Sequence, residues 1–383
     1  MKILIAPDSF KGSLSASKVA DAMGKGVKKV IPQVQLTHLP LSDGGEGLVD
    51  SLVGASEGEV IQQEVTGPLG KPVSSFWGLM GDKKTAVIEM AAASGLPLVP
   101  QAERNPMLTT TYGTGELILA ALNRGCSKLI IGIGGSATND GGSGMAQALG
   151  ASLSDEMGKE LPYGGGHLSR LVKIDLSGMD PRLRKIQVLV ACDVTNPLTG
   201  AEGASHVYGP QKGATRSMAE ELDRGLKHYA KIIARDLGIE VDNVPGSGAA
   251  GGLGAGIMAF LGGELTPGIE LVMNALGLTR ELKDCSLVLT GEGKLDAQSI
   301  FGKVPVGVAR KAKKEGVPVV VLAGGVGDDL EAIHQVGITA CFSITSGPMS
   351  LEESMKNSAA LLESVTAEVV RLWLQGHRQK PMG

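Results

Sequence analysis

The sequence predicts an α/β protein of two domains: a parallel-sheet domain made from both ends of the chain, and a mixed α/β domain inserted into it. Three observations carry this. The chain has 383 residues, about two domains at ~100–200 residues each. Short apolar runs alternate with helical patterns at both ends, which is the signature of βα units. Between them, residues 59–92 change character, with short runs broken by Gly-Pro, Leu-Gly-Lys and Gly-Asp turns that suggest antiparallel strands. The expected boundaries are 1–60 with 286–383 for the split domain and 61–285 for the insert.

At the start, "KILIAPD" reads as a strand. "SASKVADAMGKGVKKVI" reads as a helix with Val19, Met23, Val27 and Val30 on one face and Ser15 or Ser17 as cap. "VQLTHLPLSDGGEG" is a second strand with its turn, and "GLVDSLVG" a second helix. In the insert, "GELILAALNRG" is a helix, "KLIIGIGGSATNDGG" a strand with a rich turn, and "GMAQALGA" a helix. "KIQVLVACDVTNPL" is another strand and turn. The long helix around "MAEELDRGLKHYAKIIARDLG" carries Leu222, Leu226, Tyr229 and Ile233 on one face. "AAGGLGAGIMAFLG" is a glycine-rich helix that must pack closely. From Cys285 the parallel pattern returns with "SLVLTGEG", "VGVARKAKKEG", "PVVVLAGGVG", "LEAIHQVG" and "TACFSITSG". A closing helix follows, with Met355, Leu362, Val365, Val369 and Leu372 on one face. The split domain therefore expects about five parallel strands.

Composition excludes several classes. A formal net charge of -4, without basic clusters interleaved with aromatics, argues against nucleic-acid and membrane-surface binding. No apolar run approaches ~18 residues, and the first one, stopped by Pro7 and Asp8, is too short for a signal-peptide core. The four cysteines are scattered and form no C-x-x-C pair, so they read as buried thiols of a cytoplasmic protein rather than a zinc site or disulfide framework. The 56 glycines are not periodic; they gather at the ends of apolar runs, where backbone turns tightly or approaches a ligand.

Ligands of parallel sheets bind outside the carboxyl ends of the strands. In the split domain those ends offer Asp8, Ser9 and Lys11; then Asp43, Gly44, Gly45 and Glu46. The third strand offers Thr290, Gly291, Glu292, Lys294 and Asp296, with Lys303 beyond. The last two offer Gly324 and Gly325, then Ser343, Thr345 and Ser346. Asp and Gly favour turns on their own account. Acids joined by three lysines on one edge are what a metal-nucleotide needs, with carboxylates such as Glu292 and Asp296 for Mg²⁺ and amines for phosphate oxygens. In the insert, Gly134, Gly135, Ser136, Thr138 and Asn139 precede a helix and form a candidate anion cradle. Asp193 directly follows a strand, with Asn196 and Pro197 fixing the turn, and is a general-base candidate, with Asp8 as second choice. Lys212, flanked by Gly209 and Gly213, is either solvated surface or a ligand. "GSGAAG" at 246–251 satisfies G-x-G-x-x-G, but no apolar strand precedes it, so it does not read as a dinucleotide fingerprint. A P-loop is absent.

The motifs "APDSFKGSLSA", "DGGEG", "TGPLG", "EMAAASGL", "GTGEL", "GIGGSATNDGG", "CDVTNPL", "GPQKGA", "GAAGGLGA" and "TGEGKLDAQS" followed by "GKVP" run the length of the chain. In order and spacing they resemble the bacterial glycerate kinase family of the glycerate 2-kinase type. The resemblance implies ATP-dependent phosphorylation of D-glycerate (R-glycerate), with Mg²⁺ as cofactor and 2-phosphoglycerate as product. It implies a discontinuous flavodoxin- or Rossmann-like domain and a second α/β domain, with the active site in the cleft between them. Glycerate and ATP are then the expected partners, with a homo-oligomer left open. Sequence leaves open 3-phosphoglycerate as product, another hydroxy acid as substrate, an NAD-dependent oxidoreductase and a non-catalytic sensor of small acids. It does not say which domain holds ATP.

Overall fold

The computed structural model describes residues 1–42, 47–295, 303–328 and 330–378. Its strands are β1 (Lys2–Ile5), β2 (Gln35–His38), β3 (Glu59–Thr66), β4 (Pro72–Leu79), β5 (Thr85–Glu89), β6 (Lys128–Gly132) and β7 (Ser152–Ser154). They continue with β8 (Lys173–Asp175), β9 (Gln187–Ala191), β10 (Glu264–Thr266), β11 (Cys285–Leu295), β12 (Val319–Val326) and β13 (Ala340–Ser343). The chain divides into two compact units, Met1–Asp43 with Val272–Gly383, and Gly44–Leu271.

The first unit holds a five-stranded sheet in the order β13-β12-β11-β1-β2, parallel throughout. Ile3, Leu4, Ile5, Leu287, Val288 and Leu289 are fully buried, because a parallel sheet covered on both faces needs continuous apolar strands rather than alternating ones. The helix Ala16–Val30 starts at Ser15, whose hydroxyl accepts from the Lys18 N–H at 3.4 Å. It packs on the closing helix Leu351–Arg378. A Cβ on Gly26 would stand 2.5 Å from the Glu363 carbonyl oxygen, so only glycine allows this approach. The closing helix begins in a capping box: Glu353 N–H donates to Ser350 Oγ, and Ser350 N–H to Glu353 Oε2. Its buried stripe runs through Ser358, Leu362, Thr366, Val369 and Val370. The expected member Leu372 is instead 71% exposed. Ten positions beyond Leu362 it lies about 80° round the helix from that residue, and Trp373 takes the place. Leu362→Ala would cost ~2–5 kcal/mol.

Both unit boundaries fall earlier than the expected 60/61 and 285/286. The helix Leu48–Ala55 covers the second sheet, where Val49 and Val53 lie over Gly78 and Val49 N–H donates to Glu89 Oε1 at 2.8 Å. At the other boundary, residues after Leu271 belong with the first unit: Lys2 pairs with Glu281 at 3.1 Å and Lys311 Nζ donates to Asn274 at 2.8 Å.

The second unit is built on a six-stranded sheet, order β10-β9-β6-β5-β4-β3. It is antiparallel from β3 to β5 and parallel from β5 to β10. The helix Arg216–Leu237 buries Leu222, Leu226, Tyr229 and Ile233 completely, as its periodicity predicts. It stops at Gly238, whose φ of 73° is the left-handed cap that glycine adopts without strain.

One local expectation is corrected. The turn expected from Thr290 is strand: β11 continues to Leu295, paired with β12 from Thr290–Val321 to Leu295–Val326. The reason is glycine on both strands. A Cβ on Gly291 would lie 2.2 Å from Leu322 O, and one on Gly324 2.6 Å from Gly293 O, so a bare backbone pairs where side chains could not. Strand alternation then sets Thr290, Glu292 and Lys294 on one face.

Candidate active site

Each unit carries a cavity at the carboxyl ends of its parallel strands. In the first unit a cavity of about 650 Å³ is lined by Asp8, Lys11, Glu292, Lys294, Lys303 and the glycine pair Gly324–Gly325, among others. Asp8 is held in place: its N–H donates to Gly291 O at 2.9 Å, and its Oδ1 accepts from Ser9 N–H at 2.6 Å. Thr290 is buried beneath the site and donates to Ala6 O at 2.6 Å, tying β11 to the end of β1. Lys303 Nζ reaches back to Glu292 Oε2 at 3.2 Å and Lys294 O at 2.9 Å. Glu292 is only 6% exposed, so this pair is screened far less than a surface ion pair. The expected acid-and-lysine edge is thus assembled. Asp43, Asp296, Gly44, Gly45 and Glu46 lie outside the described residues. Sequence reasoning missed the hydroxyls of Ser13, Ser354 and Ser358 on the same cavity. Two of these come from the closing helix, and no strand-end rule points to it.

The second cavity, about 350 Å³, is lined by Gly134, Gly135, Ser136, Asp193, Tyr208 and Lys212, with apolar walls from Leu96, Ile133 and Ala249. Lys212 is 1% exposed, not solvated surface. Its ammonium donates to Ser136 Oγ at 2.8 Å and Thr138 O at 2.7 Å. Burial pushes it down to about 7, against a smaller upward pull from Asp140. Asp193 stands exposed at the cavity and accepts from Gly268 N–H at 2.9 Å, at the first residue of the helix Gly268–Ala275. The turn after it is fixed as expected: Asn196 Nδ2 donates to Glu202 O, its Oδ1 accepts from Tyr208 OH, and its carbonyl accepts from Gly248 N–H. Behind "GSGAAG" no strand precedes the glycines. Ala250, Gly251 and Gly252 take left-handed φ values of 55°, 69° and 87°. Gly251 needs them, because its Cβ would meet Thr138 O at 2.0 Å.

The anion cradle differs from its expectation. Gly134 and Gly135 are exposed and Ser136 reaches the cavity, but Thr138 and Asn139 are fully buried and do not line it. Asn139 Nδ2 instead donates to Ser205 Oγ at 2.9 Å. The N–H groups of Gly142 and Gly144, at the start of the helix Ser143–Ala148, are taken by the carboxylate of Asp140, which also accepts from Thr111 N–H and Oγ1. Burial pushes the Asp140 carboxyl up, and those hydrogen bonds oppose it. Asp140 therefore supplies the anion that this helix start was expected to draw from a substrate. It was visible as the aspartate of "TNDGG", but nothing in the spacing shows it folding back.

Among the described residues no three His, Cys, Asp or Glu side chains gather to hold a metal by themselves, and no helix is long and apolar enough to cross a membrane.

The comparisons with known proteins agree with one another. The model of the glycerate kinase family matches residues 3–374. A glycerate 2-kinase of Escherichia coli (strain K12) is 55% identical over 358 residues, 94% of each chain. A glycerate kinase of Bacillus subtilis (strain 168) is 53% identical over 96% of this chain and 97% of its own. A crystal structure from Salmonella typhimurium LT2, assigned as a glycerate kinase 2, superposes with a TM-score of 0.91 at 50% identity, covering 99% of this chain and 100% of that one. By family model, sequence and structure alike, the chain belongs to the glycerate kinase family, and it is an enzyme of that kind, a glycerate kinase.

Proposed function

We propose that the protein transfers the γ-phosphoryl group of ATP to (R)-glycerate in the cytoplasm, releasing 2-phosphoglycerate and ADP, with Mg²⁺ accompanying the nucleotide. The observation that supports this reading is the difference in what lines the two cavities. The larger one combines carboxylates, lysines and bare glycine backbone, which suits a polyphosphate with its metal. The smaller one, with one buried ammonium and one exposed carboxylate, suits a small hydroxy acid. The choice of the 2-position rests on the name of the Escherichia coli relative.

Asp8 and Glu292 both line the larger cavity and would be the residues to hold a magnesium ion, since Mg²⁺ takes one or two carboxylates and completes its shell with phosphate oxygens and water. When bound, the ion would neutralise charge on the transferred group. Lys11, Lys294 and Lys303 supply the remaining positive charge. Asp193 accepts the proton of the glycerate hydroxyl as its oxygen attacks the γ-phosphorus and the bond to the bridging oxygen of ADP breaks. There is little covalent work for the protein, so positioning and electrostatics account for most of the rate.

A coupled assay of ADP release with (R)-glycerate tests the activity, and phosphorus NMR of the product tests the position. Glycerate-dependent ADP formation with phosphate on the 2-oxygen is expected. Glycerate binding without ADP release would contradict the activity, and 3-phosphoglycerate would contradict the position.

A further inference from the structure

Lys212 is an unusual lysine for an enzyme surface loop. It is buried, it lines the smaller cavity, and its described partners are a hydroxyl and a carbonyl, with no carboxylate within ion-pair distance among the described residues. Buried ammonium groups are ordinarily paired. It is also the one cation among the described residues lining that cavity. We propose that Lys212 is the residue that selects the acceptor: its ammonium takes the substrate carboxylate, with Ser136 as the hydroxyl that orients the ammonium. This rests on the reading of the smaller cavity as the acid site.

A consequence follows from the surroundings. The charged and titratable groups around Lys212 are Asp140 behind it, Asp193, Cys192 and Tyr208 on the same cavity, and Arg104, whose guanidinium donates to Gln211 O at 3.5 Å. Burial raises both Cys192 and Tyr208, so neither carries charge near pH 7. Burial pushes Lys212 itself down to about 7. An arriving carboxylate favours the charged ammonium and raises its pKa. Below pH 7 the acid meets a lysine already protonated. Above pH 7 binding must take up a proton, so the apparent affinity for the acid falls by up to about 10-fold per pH unit. A neutral polyol has no carboxylate to share with the ammonium and is rejected.

The test measures (R)-glycerate binding by calorimetry at pH 6 and pH 8.5 in buffers of different ionisation enthalpy, beside KM for glycerate and for ATP across the same range. The proposal expects uptake near zero at pH 6 and approaching one proton at pH 8.5. KM for glycerate should rise with pH while KM for ATP and kcat hold. Lys212→Met should weaken glycerate about 10- to 100-fold, the range for a charge-assisted bond, and flatten the pH dependence. Lys212→Arg keeps the charge without the titration and should bind without proton uptake. Binding at pH 8.5 without proton uptake by the unaltered enzyme would overturn the proposal, as would parent affinity in folded Lys212→Met. The unaltered enzyme decides alone if the variants do not fold. Proton-linked glycerate binding without ADP release would instead overturn the proposed activity and leave this inference standing. ADP release without the proton linkage would do the reverse.

Discussion

In the first unit Lys303 lies 3.2 Å from a buried Glu292; in the second, Lys212 is buried, and among the described residues its hydrogen-bond partners are a hydroxyl and a carbonyl. Both lysines line cavities at the ends of parallel strands. The first site pairs Lys303 with Glu292 and sets Asp8, Lys11 and Lys294 on the same cavity. The second holds Lys212 as the one cation among its described lining residues, pushed down by burial against a smaller upward pull from Asp140. The comparison teaches that strand-end position makes a site, whereas compensation of charge decides what the site can receive.

The largest expected effect separates chemistry from binding. Asp193→Asn should lower kcat by about 10²-fold or more, the range for loss of a general base, with KM for ATP close to that of the parent in steady-state assays. Near-normal turnover would move the base elsewhere, with Asp8 next in line. Glu292→Gln sharpens the other side of the comparison. It removes one of the two carboxylates among the described residues lining the larger cavity, so the Mg²⁺ concentration for half-maximal rate should rise by about 10-fold. KM for glycerate should be unchanged; a shift there instead would mean that the cavities have been assigned the wrong way round.

The depressed lysine also leaves a mark on stability. Unfolded, Lys212 returns toward its ordinary 10.5, so between about pH 7 and that value the unfolded chain binds more protons than the folded one. Stability contributed by this group therefore rises with pH through that window. Urea titrations of Lys212→Met should show that slope removed. The smallest effect belongs to an ordinary surface pair. Arg216 and Glu220, 95% and 48% exposed, sit one turn apart on a helix. Arg216→Ala should change stability by ~0–0.5 kcal/mol in the same titrations and leave both KM values alone.

Much of this was legible in the sequence. The split parallel sheet, the antiparallel strands after residue 59 and the buried face of the helix Arg216–Leu237 all follow from period and turn residues, which are local signals. The strand-end rule gathered Asp8, Lys11, Glu292, Lys294 and Lys303 on one cavity. What it could not give depended on distant chain. Lys212 reads as either surface or ligand in "GPQKGA", and its burial against Ser136 and Thr138 O is set by distant chain. Asp140 turns back on its own helix and on Thr111, taking up the donors expected of the glycine-rich run. The strand through Leu295 needed glycines on two separate strands, Gly291 and Gly324, each where a Cβ would meet the neighbouring strand's backbone. Leu372 was misplaced by a smaller error, one residue in a helical count.

The most direct test of the account is a crystal structure of the enzyme with ADP, Mg²⁺ and (R)-glycerate. The account expects nucleotide phosphates against Lys294 and Lys303 in the first unit, and the glycerate carboxylate on the Lys212 ammonium in the second. Nucleotide phosphates on Lys212, with the acid among Asp8, Glu292 and Lys303, would contradict it.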